Sequence, residues 1–152
     1  MRIEIADDRG RERLSSLLAK SMAHGFDEKL NLTYLEVGPS LVRAKVAVDD
    51  TLHQPAGIVH GGVMASIVEA VGSAGGYAWL IDQGKKDVFV GTSNTTDFLK
   101  SVACGALEAV GEPIHQGERS QLWRIEIKQV ETGLVISVGM LRGQNIPPRS
   151  RR

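Results

Sequence analysis

The spacing of apolar positions changes period along the chain, and each change predicts an element. Between Arg9 and Met22, Leu14, Leu17 and Leu18 recur at helical spacing among polar residues, which predicts a helix that Gly25 ends or redirects. In LNLTYLEVGPSLVRAKVAV the period falls to two. Val42, Ala44, Val46 and Val48 alternate with Leu41, Arg43, Lys45 and Ala47, as in a strand with one wet side. Gly38-Pro39-Ser40 splits this stretch into two strands joined by a hairpin turn. The helical period returns at Gly61 and holds to Leu80, about 30 Å if continuous. Val63, Met64, Ile67, Val68 and Val71 cover its broad apolar side, while Gly62, Ser66, Glu69, Ser73 and Gly76 form a narrow line of small and polar residues. VFVGTSNTTDFL, CGALEAVGEPIHQG, SQLWRIEIKQVE and LVISVGMLRGQN then read as strands, broken at Lys100 to Ala103 and at the turn Glu131-Thr132-Gly133. Residues 1–8 and 147–152 carry no firm pattern and are expected to fray.

The order is helix, strands, long helix, then three or four strands, without alternating βαβ units. It predicts an α+β domain in which an antiparallel sheet packs against one dominant helix. Five glycines fall within the long helix, at 61, 62, 72, 75 and 76. An interior helical glycine costs about 1 kcal/mol relative to alanine, so tertiary packing must hold this segment. Close approach to a sheet, a neighbouring subunit or a ligand is the natural reason to accept small residues there.

Length and charge narrow the classes of function. A chain of 152 residues suits a single domain spanning 1–152. Eighteen Lys and Arg balance eighteen Asp and Glu, so no global attraction to nucleic-acid phosphates exists. The lone cysteine, Cys104, excludes an intrachain disulfide framework and fits a cytoplasmic setting. The charged start MRIEIADDRGRERL does not read as a signal peptide, and no uninterrupted apolar run predicts a membrane span.

Glu69 is the only acidic residue between Asp50 and Asp82, set on the small-residue line of an otherwise apolar helix. Buried without a charge partner, its carboxyl would hold its proton more tightly and be a better base when ionised. Near a thioester it could attack the carbonyl, forming a mixed anhydride, or deprotonate a water. Ser73 shares its face four residues on and could hydrogen-bond it or position that water. His60-Gly61-Gly62 precedes the helix, whose first N–H groups lack internal partners and would stabilise a developing oxyanion. An ordinary glycine-rich turn has the same letters, and a tolerated helix carboxylate would read like Glu69. His60, at a loop–helix junction, is read as holding backbone geometry rather than as a general base. His24, His53 and His115 are scattered, so no metal site is expected. GxSxG is absent.

The segment GIVHGGVMASIVEAVGS resembles the active-site region of hotdog-fold acyl-coenzyme A thioesterases. With VDDTLHQPAGIVHGG before it and VGTSNTTDFLK after it, the closer similarity is to the Arthrobacter-type 4-hydroxybenzoyl-CoA and phenylacetic-acid-degradation branches. It covers about Val42 to Pro148. The resemblance implies a hotdog fold, an antiparallel sheet wrapped around a long central helix. It implies Glu69 as catalytic carboxylate, Gly61 as the N–H donor to the thioester oxygen, and Gln54 beside that carbonyl. Ser73 falls where the Arthrobacter type carries threonine, a departure that leaves its role open. Many relatives carry asparagine and aspartate in place of Gln54 and Glu69.

The implied reaction is hydrolysis of an acyl-CoA, with an aromatic acyl group favoured and coenzyme A as part of the substrate rather than a cofactor. The substrate-binding candidates are His60, Gly62, Asn94, Thr95, Thr96 and Lys100. The polar run Ser93 to Thr96 is expected to line the pocket from a partner subunit, with Asp97 and Phe98 shaping the same region. Lys100 ranks before Arg119, Arg124, Arg142 and Arg149 for the phosphates of coenzyme A. The resemblance further implies a homodimer with sites at its interface, or a tetramer of two such dimers. A non-catalytic acyl-CoA binding module and a hydroxyacyl thioester dehydratase are the rival readings. Turnover separates the first, and the placement of histidine in the HGG loop and of the carboxylate on the helix disfavours the second.

Overall fold

The expected helix and strand order is the order found in a computed structural model, which describes residues 8–22 and 24–148. Helix α1 (Asp8–Met22) and a short α2 (Phe26–Lys29) precede the hairpin β1 (Leu32–Val37) and β2 (Val42–Ala47). A 3₁₀ turn (Asp50–Leu52) leads to the long α3 (Gly61–Asp82), followed by β3 (Val88–Phe98), β4 (Ala106–Gln116), β5 (Ser120–Gln129) and β6 (Val135–Ile146). Four strands therefore follow the long helix, which runs two residues past its expected end. Asp8 already belongs to α1, so of the segments expected to fray only residues 1–7 and 149–152, with Arg149, lie outside the described residues. The Phe26–Lys29 helix has no sequence signal of its own, being a single turn without a side-chain cap.

All six strands form one antiparallel sheet in the order β1-β2-β4-β5-β6-β3. β2 and β3, adjacent in sequence but for α3, sit far apart in it. The helix crosses one face of the sheet and delivers the chain to the far edge, where among the described residues β3 pairs only with β6. β2 keeps the alternation read from sequence, with Val42, Ala44 and Val46 buried and Arg43, Lys45 and Ala47 exposed. On that outer face Arg43 pairs with Glu108, and Glu126 bridges Arg124 and Lys128. These cations hold the Glu126 carboxyl below the usual glutamate range, Lys128 contributing most.

The core lies between α3 and the sheet. Ile67, Val68, Val71 and Ala74 of the helix meet Leu107, Trp123, Ile125, Ile127 and Leu141, all buried. This contact answers why the helix accepts glycine. A Cβ at Gly75 would stand 2.4 Å from the Trp123 ring, so the sheet approaches closer than any side chain allows. Trp123 is held by its Nε1–H, which donates to Gln121 Oε1 at 3.0 Å. The Gln121 amide in turn donates to the Gly76 carbonyl and to Asn145 Oδ1. By length and hydropathy α3 matches a membrane span, but its apolar side is covered by this sheet.

Candidate active site

The start of α3 is built by the residues before it. Asp49 caps the 3₁₀ turn, accepting from the Thr51 N–H and from Asn31 Nδ2 at 2.7 Å. Hydrogen bonds from Thr51, and next from Asn31, hold the Asp49 carboxyl below the usual aspartate range. The next five residues make a tight loop. Gln54 N–H donates to the Ile58 carbonyl and Gly57 N–H to that of Gln54, while His53 pairs with Val59 across its base. His53 Nε2 lies 2.9 Å from the Ala103 carbonyl, tying the loop to the segment after β3.

Inside this loop the Gln54 side-chain oxygen accepts from the Ala56 N–H at 2.9 Å. That bond orients the amide and leaves its NH₂ free of partners among the described residues. His60 is the N-cap of α3, its Nδ1 accepting from the Gly62 N–H at 2.8 Å. The ring therefore holds backbone geometry, as read from its position. The Gly62 N–H, a candidate substrate contact, is instead occupied by His60. Among the described residues nothing accepts from the Gly61 N–H. Gly61, Gln54 and Lys100 share a hollow of about 270 Å³, walled by Ile58, Met64 and Phe98. Its donors are a helix-end N–H and a fixed amide, suited to a carbonyl oxygen that gains negative charge. Lys100 is exposed at its mouth.

Glu69 lies two turns further along α3, about 12 Å by helix rise. It borders two other hollows and not the one holding Gly61 and Gln54. Phe98, whose ring lies against Gly61, separates the two regions. Glu69 is half-buried rather than sealed in the core. Within this chain the four candidate catalytic residues therefore form two groups, Gln54 with Gly61 and Glu69 with Ser73.

β3 supplies what faces Glu69. Its register shifts between Gly91 and Ser93, Gly91 opposing Gly143 and Ser93 opposing Arg142, so Thr92 is an extra residue in the strand. Before the bulge Phe89 and Gly91 face α3; after it, Asn94 and Thr96 do. Asn94 Nδ2 donates to the Ala65 carbonyl at 2.9 Å and to Glu69 Oε2 at 3.3 Å. Thr96 Oγ1 donates to Asn94 Oδ1 at 2.7 Å. Within one chain, Asn94 and Thr96 of the polar run line the hollow beside Glu69, Asn94 by bonding it directly and Thr96 by bonding Asn94. Thr95 alternates to the opposite face, opposite Met140 of β6. Ser73 makes no hydrogen bond to Glu69 among the described residues; Asn94 takes that place.

Ser73 instead lines a hollow of about 320 Å³ with Glu69, Met22, Phe26, Asp27 and Tyr34. The Tyr34 hydroxyl donates to Asp27 Oδ2 at 3.0 Å. Burial pushes the Asp27 carboxyl up, with the bond from Tyr34 opposing, and burial likewise pushes the Tyr34 hydroxyl up. Sequence reading missed Phe26, Asp27 and Tyr34. Phe26 and Asp27 lie in the short α2 and Tyr34 in β1, and no local pattern marks their contact with α3.

Residues 56–136 match the family described as the thioesterase superfamily. The Mycobacterium tuberculosis (strain H37Rv) protein Rv1847, described as a candidate esterase, is 39% identical over 124 residues, covering 82% of this chain and 88% of its own. Its solved structure superposes with a TM-score of 0.77, at 38% identity over 82% of this chain and 98% of that one. The proofreading thioesterase EntH of Cronobacter sakazakii is 36% identical over 100 residues, covering 66% of this chain and 71% of its own. The 1,4-dihydroxy-2-naphthoyl-CoA hydrolase of Escherichia coli K12 is 34% identical over 98 residues, 64% of this chain and 70% of its own. With its sheet wrapped on a central helix and this match across more than half its length, the chain has the hotdog fold and belongs to the thioesterase superfamily of thioester hydrolases.

Proposed function

We propose that this protein hydrolyses an acyl-coenzyme A thioester, with Glu69 as the reacting carboxylate and Gly61 and Gln54 as donors to the thioester oxygen. The observation that carries the reading is the pair of unengaged donors, the Gly61 N–H and the Gln54 amide, converging on one hollow at the start of α3. As the carbonyl carbon is attacked its oxygen becomes an alkoxide, and both donors strengthen their bonds to it more than to the ground-state carbonyl. Glu69 serves in one of two ways. It adds to the carbonyl carbon, expelling coenzyme A thiolate and leaving a mixed anhydride that water cleaves. Otherwise it takes a proton from water, whose hydroxide adds, and the thiolate leaves.

Glu69 and the Gly61–Gln54 pair cannot reach one carbonyl within a single chain. β3, whose outer edge is unpaired among the described residues, offers the remedy. Val88, Val90, Phe98 and Leu99 are exposed along it, at 36%, 42%, 60% and 57%. Pairing β3 with a second copy about a two-fold axis extends the sheet, satisfies the open backbone edge, and runs the two α3 helices antiparallel. The N-terminus of one helix then lies toward the middle of the other, where Glu69 sits. A dimer is the smallest assembly that completes the site, and the tetramer implied by the family resemblance would contain two of them.

The acyl group is assigned to the hollow beside Glu69, where Phe26, Tyr34 and Met22 suit a flat aromatic ring. The E. coli relative, named for an aryl-CoA substrate, supports this choice. Lys100, at the mouth of the other hollow, is placed to meet a phosphate of coenzyme A. Free-thiol release from a panel of aromatic and aliphatic acyl-CoAs tests the reading. Release should be fastest on an aromatic member and lost in Glu69→Ala. Binding without release across the panel would favour the non-catalytic module instead.

A further inference from the structure

Resting on the hydrolytic reading above, we infer that Asn94 is the positioning residue for Glu69, a role that residue spacing had pointed to Ser73 to fill. Glutamate has three side-chain torsions, and Glu69 is half-buried at the rim of a hollow, so its carboxylate needs an external tether to hold one geometry. Asn94 is the only hydrogen-bond donor side chain that reaches it among the described residues.

The tether is itself fixed at both ends. The Ala65 carbonyl and the Glu69 carboxylate can only accept, so both must face the Asn94 NH₂. The amide oxygen is then turned to Thr96, whose hydroxyl donates to it. A flipped amide would set its oxygen against two acceptors. The order Thr96 to Asn94 to Glu69 therefore has a single sense, anchored to the helix backbone one turn before the carboxylate.

Two features of β3 serve this arrangement. The extra residue Thr92 moves Asn94 and Thr96 onto the helix-facing side, where an unbroken strand would have placed Ser93 and Thr95. Gly91, just before the bulge, leaves room for the carboxylate: a Cβ there would stand 2.2 Å from Glu69 Oε1. Strand and bulge together place a donor on one side of the Glu69 carboxylate and the Gly91 backbone on the other.

A positioning role predicts loss in turnover rather than in substrate affinity. With the acyl-CoA best cleaved by the wild type, Asn94→Ala should lower kcat by about tenfold to a hundredfold, the usual worth of a hydrogen bond to a charged group, with KM changed less than about twofold. Thr96→Val, nearly isosteric, should lower kcat in the same direction by about twofold to fivefold, and it keeps the test sound if the first variant folds poorly. Asn94→Asp adds a signature that packing would not produce. Its carboxyl can donate to Glu69 only when protonated, so the ratio of its kcat to that of Asn94→Ala should rise as pH falls from about 8 to about 5. Unchanged kcat in folded Asn94→Ala and Thr96→Val, or an effect confined to KM, overturns the inference while leaving the hydrolytic reading intact. Wild-type-like turnover by Glu69→Ala would overturn both.

Discussion

Replacing Gly75 with alanine sets helix propensity directly against packing. Gly75 lies within α3, where propensity alone favours alanine by about 1 kcal/mol. The added Cβ would stand 2.4, 2.5 and 2.8 Å from three atoms of the Trp123 ring, roughly 1 Å inside normal contact. Trp123 has no exposed surface, and its indole N–H is bonded to Gln121, itself buried and bonded to the Gly76 carbonyl and Asn145. The ring cannot turn aside without breaking this network, so either the strand or the helix must shift. Overpacking of a filled core costs about 1–3 kcal/mol, and a rigid ring this close belongs at the upper end. After the propensity gain, Gly75→Ala should be destabilised by about 2 kcal/mol. At about 2–4 °C per kcal/mol for a domain of this size, Tm should fall by about 4–8 °C. Thermal unfolding followed by circular dichroism, with denaturant unfolding at 25 °C, reads the change. A Tm equal to or above the wild type would refute the claim that sheet contact demands the glycine.

Gly91→Ala should do the opposite kind of damage. The atom its Cβ would meet is the end of the flexible Glu69 side chain, so Tm should move by less than about 2 °C while displacement of the carboxylate lowers kcat about tenfold or more. Calorimetry beside turnover measurements checks the pair, and loss of Tm with retained kcat would contradict it. Asp49 carries a pH-dependent share of stability. Its native pKa is lowered, so its contribution is complete above the ordinary aspartate value of 3.8 and is lost as pH falls through the native value. Asp49→Ala should therefore unfold at lower temperature than wild type at neutral pH, with the gap closing below about pH 3.8. A gap independent of pH would show that the cap acts through something other than its charge.

Much of the fold was legible because its elements carry strong periods. The alternation at Val42–Val48 and the helical run from Gly61 stand out in the letters, and both match the structure. The HGG start was legible for a similar reason, since the family likeness is concentrated in consecutive residues. Several site features depend instead on contacts between distant segments. The bulge at Thr92 reverses which side of β3 faces the helix, and TSNTT contains no signal for where the extra residue falls. Asn94 and Thr96 thus exchange roles with Ser93 and Thr95 through one unpaired position. Asp27 and Tyr34 line the same hollow as Glu69 because β1 lies against the middle of α3, the Tyr34 hydroxyl reaching the Ala70 carbonyl, a tertiary contact between segments some forty residues apart. Because i and i+4 share a helix face, the spacing predicts that Ser73 bonds Glu69 or positions a water beside it. A common face provides proximity, while the bond goes to the better-oriented amide of β3.

In the proposed dimer a thioester is cleaved between Glu69 of one copy and the Gly61–Gln54 donors of another. Subunit mixing tests this most directly. Glu69→Ala and Gln54→Ala should each be deficient in thiol release from an aromatic acyl-CoA. Unfolding and refolding them together in equal amounts should create hybrid dimers in which one of the two sites has both native residues. With random pairing, half the dimers are hybrids and one site in two is intact, so activity should recover to about a quarter of wild type, above the sum of the parents. A mixture no more active than its parents, with hybrid dimers demonstrated, would contradict a site shared between copies.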